Sequence, residues 1–328
     1  MYQPEETRYD SMTYNRCGRS GVKLSALALG LWQNFGGDAP FENSRQMIRQ
    51  AFDAGITYFD LANNYGPPYG SAEETFGLVM ERDMRPYRDE MFVATKAGYD
   101  MWPGPYGNWG SKKYLVSSLD QSLKRMKLDY VDLFYHHRHD PETPLEETMD
   151  ALVHILRQGK ALYVGISNYG PEETRRAADI LEGAGVHLLA HQMRYSMLNR
   201  TPEAGLFQVL EEKGIGGVCF SCLQQGILTD KYFRGIPGDS RAGGPSISLN
   251  ASRINKEEID RAKKLNVIAG ERGQSLAQMA LQWAMRPEAV TGVILGVSRP
   301  EQIAENLKLL KAPAFSAGEL AAIEGILK

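Results

Sequence analysis

The chain predicts an α/β protein, a single (β/α)8 TIM barrel, and three observations carry that expectation. After residue 25, short apolar runs alternate with amphipathic helical stretches, as strand–helix units do. Eight such units follow one another, the number that closes a parallel barrel. No G-x-G-x-x-G opens a helix after any strand, which weighs against a doubly wound sheet. No linker divides the chain, so one domain is expected over residues 1–328.

The elements follow in order. "YNRCGRSGVKLS" reads as an N-terminal hairpin about Gly18–Gly21 that covers the barrel floor. "LSALALG" is the first strand. The helix in "ENSRQMIRQAFDAG" is expected to begin near Ser44 and to stop at Gly55. "ITYFD" is the second strand. "SAEETFGLVMER" follows as a helix, with Ser71 and Glu74 fitting a capping box. "MFVATK", "VDLFYHH", "ALYVGIS", "LLAHQM" and "IGGVCFS" are strands three to seven, each followed by a helix-period stretch. The helices after strands three to six are "KKYLVSSLDQSLKRMK", "PLEETMDALVHILRQG", "PEETRRAADILEGAG" and "EAGLFQVLEEKG". Between strand seven and the eighth, "VTGVILG", lie a Gly/Pro/Ser-rich loop, "FRGIPGDSRAGGPSISLN", and two extra helices. A loop of that length is a functional feature or a disordered one. "RPEQIAENLKLLK" supplies the last helix of the repeat.

Bulk properties narrow the function. Hydrophobic residues make up 43% of the 328, charged residues 23%, and the net charge is −3. There is no basic surplus for nucleic acid or an anionic membrane, and no apolar run approaches the ~20 residues of a membrane span. "MYQPEETRYDSMTYNR" lacks the apolar core of a secretory signal, so a cytoplasmic protein is expected. Three cysteines, Cys17, Cys219 and Cys222, are too few for a disulfide framework. Cys219 and Cys222 form a C-x-x-C, but no second Cys/His pair completes a zinc set, and no metal is expected.

Four polar residues stand at successive strand ends: Asp60, Tyr65, Lys96 and His137. Asp60, Lys96 and His137 are spaced by about one strand–helix unit each, which brings them to one rim of the barrel. Taken singly, Tyr65 is a packing aromatic and Lys96 a solvated charge. Together, Tyr, Lys, Asp and His make an acid catalyst for a carbonyl group. His136 and His137 are adjacent, so strand alternation points them to opposite sides.

"GITYFDLANNYG", "KAGYD", "YVGISNY", "LTDKY" and "ILGVSRPEQIAENL" occur in that order, and with them the chain resembles the aldo-keto reductase superfamily from about residue 14 to 312. "LANNYGPPYGSAEE" and "KAGYDMWPGPYG" are similar to the bacterial branch that includes glyceraldehyde 3-phosphate reductases, itself related to voltage-gated potassium-channel β-subunits. The resemblance implies an NADP(H)-dependent oxidoreductase reducing short aldehydes or ketones such as glyceraldehyde 3-phosphate or methylglyoxal, without a metal. It implies that Tyr65 donates the proton and that Lys96, held by Asp60, lowers the Tyr65 pKa. It also selects His137 rather than His136 as the residue that aligns the carbonyl. Channel β-subunits carry Asn where this chain has His137, so the His favours an enzyme over a cofactor-binding redox-sensing regulatory subunit. A Schiff-base role for Lys96 is disfavoured, because the family gives that lysine an electrostatic one.

The same resemblance assigns a cofactor surface. Ser167, Asn168 and Gln192 would meet the nicotinamide carboxamide, Phe220 would stack on its ring, and Trp32 and Asp60 border it. Ser221, Leu223, Gln225 and Gly226 would wrap the pyrophosphate, although many relatives have Pro where this chain has Cys222. Lys231 and Arg241 would reach phosphates from the long loop. Gly296, Ser298, Arg299, Gln302, Glu305 and Asn306 would hold the adenosine end. Val297 stands where many members have Lys, and Arg299 could take over that charge at a 2′-phosphate, which favours NADP(H) over NAD(H). Trp32, Tyr65, Trp102 and Tyr106 are expected to wall the substrate pocket. Arg138, beside His137, suits an anionic substrate or a structural ion pair. A homo-oligomer, a tetramer or larger, is the expectation drawn from relatives.

Overall fold

The computed structural model describes residues 2–238, Gly243 and 254–328. Eight parallel strands form a closed barrel: β3 (Leu27–Gly30), β4 (Tyr58–Asp60), β5 (Phe92–Ala97), β6 (Val131–His136), β7 (Ala161–Ser167), β8 (Leu188–Arg194), β9 (Gly216–Phe220) and β10 (Val290–Leu295). They pair in chain order, and β10 closes the ring on β3 with Val293 opposite Leu27. The (β/α)8 expectation is met.

The seven crossovers between consecutive barrel strands each carry helix. They hold α1 (Phe41–Asp53), α2 (Ser71–Val79), α3 (Lys112–Met126), α4 (Leu145–Arg157), α5 (Pro171–Gly183), α6 (Leu206–Lys213), and the pair α7 (Lys256–Glu271) and α8 (Leu276–Ala284). α9 (Glu301–Leu307) follows β10, and α10 (Ala317–Leu327) packs back against α7. α10 was not expected from the sequence. Its start is nonetheless written there: Ser316 accepts from the Glu319 N–H at 3.2 Å, and Glu319 caps the Ser316 N–H in return.

Strand alternation sorts the side chains into two cores. Ala28, Tyr58, Ala94, Leu133, Tyr135, Ala190 and Val218 fill the barrel interior. Phe59, Phe134 and Ile166 point outward into the larger layer shared with the helices. Within β6 this separates the histidines: His136 turns outward, with Nδ1 2.5 Å from the Tyr169 hydroxyl.

Three boundaries differ from the expectation. "LSALALG" is not one strand. β1 (Tyr14–Arg16) and β2 (Lys23–Ser25) form the antiparallel hairpin, and the barrel strand begins only at Leu27. The hairpin lies across the floor, where Asn15 Nδ2 donates to Thr291 O at 2.9 Å and the Arg19 N–H to Gly214 O at 2.8 Å. Gly18 allows this approach: φ is +52°, and a Cβ would come within 2.0 Å of Gly214 O. α1 starts at Phe41 rather than near Ser44, because Pro40 O already accepts from Asn43 N and Ser44 is turned into the core. Ser71 does not cap α2. Its hydroxyl donates to Pro68 O at 2.6 Å and accepts from the Gly37 N–H, leaving Gly70, in the left-handed region at φ +89°, as the cap residue.

Candidate active site

The chain after β4 builds the centre of the site. Leu61 N donates to Ala94 O and Asn63 N to Lys96 O, so pairing with β5 continues past Asp60. A turn closed by Tyr65 N to Ala62 O then swings the tyrosine back over the barrel mouth. Its ring centroid lies 4.9 Å from Lys96 Nζ. The ammonium donates to Asp60 Oδ2 and to Leu61 O, each at 2.6 Å, and lies 3.4 Å from the Tyr65 hydroxyl. Across the mouth, His137 packs edge-on to Tyr65, with ring centroids 6.0 Å apart. The four residues read from strand ends therefore meet at one place.

Burial governs their charges. The Tyr65 pKa is pushed well up, first by burial and then by the charge of Asp60. Loss of solvation for the phenolate sets the direction of this shift. Burial lowers the Lys96 pKa, and the Asp60 carboxylate pulls against that shift. His137 is driven well below the ordinary imidazole range by burial and by the Lys96 charge, and so is neutral. Its Nδ1 is buried without a hydrogen-bond partner.

The loop after β5 forms one wall. Tyr99, which sequence reasoning passed over, packs edge-on to His137 at 4.7 Å. Arg138 is held between the rings of Tyr99 and Trp109, its guanidinium carbon 4.2 and 3.6 Å from their centroids. It donates from Nε to Gly98 O and from Nη2 to Asn108 Oδ1, both at 2.8 Å. Of the four expected wall aromatics, Trp32 packs on Tyr65 at 6.0 Å. Trp102 is turned against Tyr114 of α3, and Tyr106 lies beneath the Lys113 ammonium.

The expected cofactor residues fall into two groups. Around the tetrad, Ser167 accepts from Asn168 Nδ2 at 3.0 Å, and the same amide reaches His137 O. Gln192 Nε2 donates to Asp60 Oδ1 at 2.8 Å. Asn168, Ser221 and Gln225 have φ of +56°, and Gln224 has +47°. Such left-handed backbone at non-glycine positions is strained and clusters at ligand sites. The stretch from Phe220 through Leu223 to Gly226 bends sharply there, and Gln225 Oε1 is buried without a partner. Cys222 is a buried free thiol with its pKa raised to about 12, and Cys219 is buried and free beside it. At the far end, Gly296, Ser298 and Arg299 are exposed. Ser298 N and Oγ approach Gln302 Oε1 at 2.8 and 3.3 Å, Glu305 pairs with Lys308, and Asn306 is buried. Lys231 is exposed, and Arg241 lies outside the described residues. Among the described residues, no group of three or more His, Cys, Asp or Glu could hold a metal ion, and no helix is long and apolar enough to cross a membrane.

A Tyr–Lys–Asp–His cluster at the open end of a parallel barrel is chemistry for carbonyl reduction, and the chain belongs to the aldo/keto reductase family, whose model matches residues 26–328. Two relatives, each named L-glyceraldehyde 3-phosphate reductase, from Escherichia coli (strain K12) and Escherichia coli O157:H7, are 52% identical to it over 321 residues, covering 97% of this chain and 93% of theirs. A probable voltage-gated potassium channel subunit beta of Oryza sativa subsp. japonica is 34% identical over 305 residues, 91% of each chain. The resemblance carried by the motifs is borne out.

Proposed function

We propose that this aldo-keto reductase reduces short aldehydes, glyceraldehyde 3-phosphate or methylglyoxal among them, using NADPH, with Tyr65 as the proton donor. The observation that carries the reading is the Tyr65 hydroxyl, 3.4 Å from a buried ammonium that is itself paired with Asp60. When bound, the reduced nicotinamide supplies the hydride. Charge then builds on the carbonyl oxygen and must be met by a proton. Burial keeps Tyr65 protonated, so the donor carries its proton at neutral pH. The phenolate left behind is stabilised by Lys96, whose charge Asp60 maintains. Neutral His137 gives one hydrogen bond from Nε2 to the carbonyl oxygen and orients it.

The left-handed turn at Ser221 and Gln224–Gly226, with its unpartnered Gln225 oxygen, fits a diphosphate-bearing cofactor. Exposed Ser298 and Arg299 at the entrance to α9 fit a 2′-phosphate, which favours NADP(H). Arg138 sits at the mouth with its charge fixed in place, and it suits the phosphate of a triose phosphate, the substrate that the 52%-identical relatives are named for. Spectrophotometric oxidation of NADPH and of NADH against short aldehydes and triose phosphates tests the reading, with Tyr65→Phe as the control. NADPH binding without turnover on any carbonyl would replace it with a redox-sensing subunit.

A further inference from the structure

The layer below the tetrad is unusual for a barrel. Such interiors are mostly filled by branched aliphatic side chains. Here two tyrosines, Tyr58 of β4 and Tyr135 of β6, place hydroxyls in the interior with no solvent contact. A buried hydroxyl is costly unless it is bonded, and these two are bonded to each other at 2.9 Å. Tyr58 also donates to Asp60 Oδ1 at 3.4 Å, on the oxygen that Gln192 reaches at 2.8 Å. With Tyr58 donating to Asp60, Tyr135 donates to the Tyr58 oxygen, so both hydroxyl dipoles point toward the carboxylate and reinforce each other.

We propose that Tyr58 and Tyr135 are positioning residues, a buried hydroxyl pair that works with Gln192 beneath Asp60 and keeps that carboxylate in place as the partner of Lys96. The proposal rests on the carbonyl-reductase reading for its kinetic consequence, but not for its geometry. Asp60 has two oxygens. Lys96 takes one, and Tyr58 and Gln192 meet the other, so the carboxylate cannot turn away from the ammonium without breaking a buried contact. The charged and titratable groups facing this point are Tyr58 and Asp60 from β4, Lys96 from β5, Tyr135 and His137 from the end of β6, and Tyr65 from the loop. Glu73 of α2 acts on Lys96 from outside the barrel, and Cys17 of the floor hairpin faces both tyrosines.

Loss of a donor makes the Asp60 carboxylate less favourable. The carboxylate then holds the ammonium less firmly, and Lys96 loses its proton at lower pH. Tyr58→Phe and Tyr135→Phe test this by steady-state kinetics across pH, by thermal melting, and by 13C-carboxyl NMR of Asp60, which is read whether or not the protein turns over. The expected result for each is a kcat lowered about tenfold, the effect of one hydrogen bond to a charged group. KM stays within about twofold, the alkaline limb of kcat moves to lower pH, and the Asp60 carboxyl 13C resonance shifts. The double variant should fall no further than the worse single one, because the hydroxyls act as one unit. Wild-type kcat, pH profile and Asp60 resonance in both variants, with only a lower melting temperature, would make the pair mere packing. If Tyr58→Phe does not fold, Tyr135→Phe alone decides, since it leaves the Tyr58–Asp60 contact and removes what orients it. A wild-type protein that turns over no carbonyl would defeat the reductase reading, while the Asp60 resonance in the two variants would still decide the role of the pair.

Discussion

Lys96 Nζ lies 2.6 Å from Asp60 Oδ2, and neither side chain reaches solvent. Removing one partner leaves the other charge buried and unpaired, which costs about 3–5 kcal/mol. Asp60→Asn is therefore expected to lower the urea midpoint sharply. Adding Lys96→Met should recover part of the stability and none of the activity. If Asp60→Asn melts with the wild type, the pair does not carry the charge assigned to it.

Tyr65→Phe is expected to keep the fold, because among the described residues the hydroxyl makes one long contact, to Lys96 at 3.4 Å. Turnover should fall about 10²–10⁴-fold, the usual contribution of a positioned acid. His137→Asn should lower kcat while leaving cofactor binding near wild type. Residual NADPH oxidation at the wild-type rate in Tyr65→Phe would remove the tyrosine from its role.

Arg138→Lys keeps the charge and loses both the stacking between Tyr99 and Trp109 and the two-pronged hydrogen bonding. The KM for a phosphorylated aldehyde should rise about tenfold, roughly one charge-assisted contact. That for a neutral aldehyde should change less. Equal changes for both would confine Arg138 to holding the loop.

Two outward-facing histidines predict an acid limit to stability. Burial lowers His136 to about 4 and His191 to about 4, from an unfolded value near ~6.5. With the folded pKa depressed, the unfolded chain binds more protons between these values, so stability is full above about pH 6.5 and is lost as pH falls toward 4. The loss is roughly 3 kcal/mol for each. His191 Nε2 lies 3.2 Å from Tyr169 O, a contact that a glutamine amide can supply. His191→Gln should flatten the fall in melting temperature between pH 6.5 and 4. An unchanged slope would assign the acid transition elsewhere.

Much of this site is legible in the sequence because barrel strands deliver their last residues to one rim, and Asp60, Lys96 and His137 are such residues. Less legible are contacts between side chains on different strands. Nothing local to Tyr58 or Tyr135 separates a core aromatic from a hydroxyl aimed at Asp60. Gln192 shows its engagement with Asp60 only when β4 and β8 are opposed across the barrel. The upward shift of the Tyr65 pKa by burial is not legible either, because spacing reports a neighbouring lysine and says nothing of lost solvent. Ser71 missed its cap because Pro68 and Gly37, outside the helix, compete for its hydroxyl. The α10 signal, Ser316 and Glu319, was present and simply lay beyond the eighth repeat.

The hairpin drawn across the floor has a kinetic meaning. With Cys17 and Leu24 packed into the interior from below, the barrel is a vessel with one doorway. On the proposed reading, a carbonyl compound and its alcohol would share that opening, past the segment that Arg138 fastens through Gly98 and Asn108. Whatever loosens that fastening hastens departure as much as arrival, so the pace of a full cycle can rest on traffic at the mouth rather than on events beneath it.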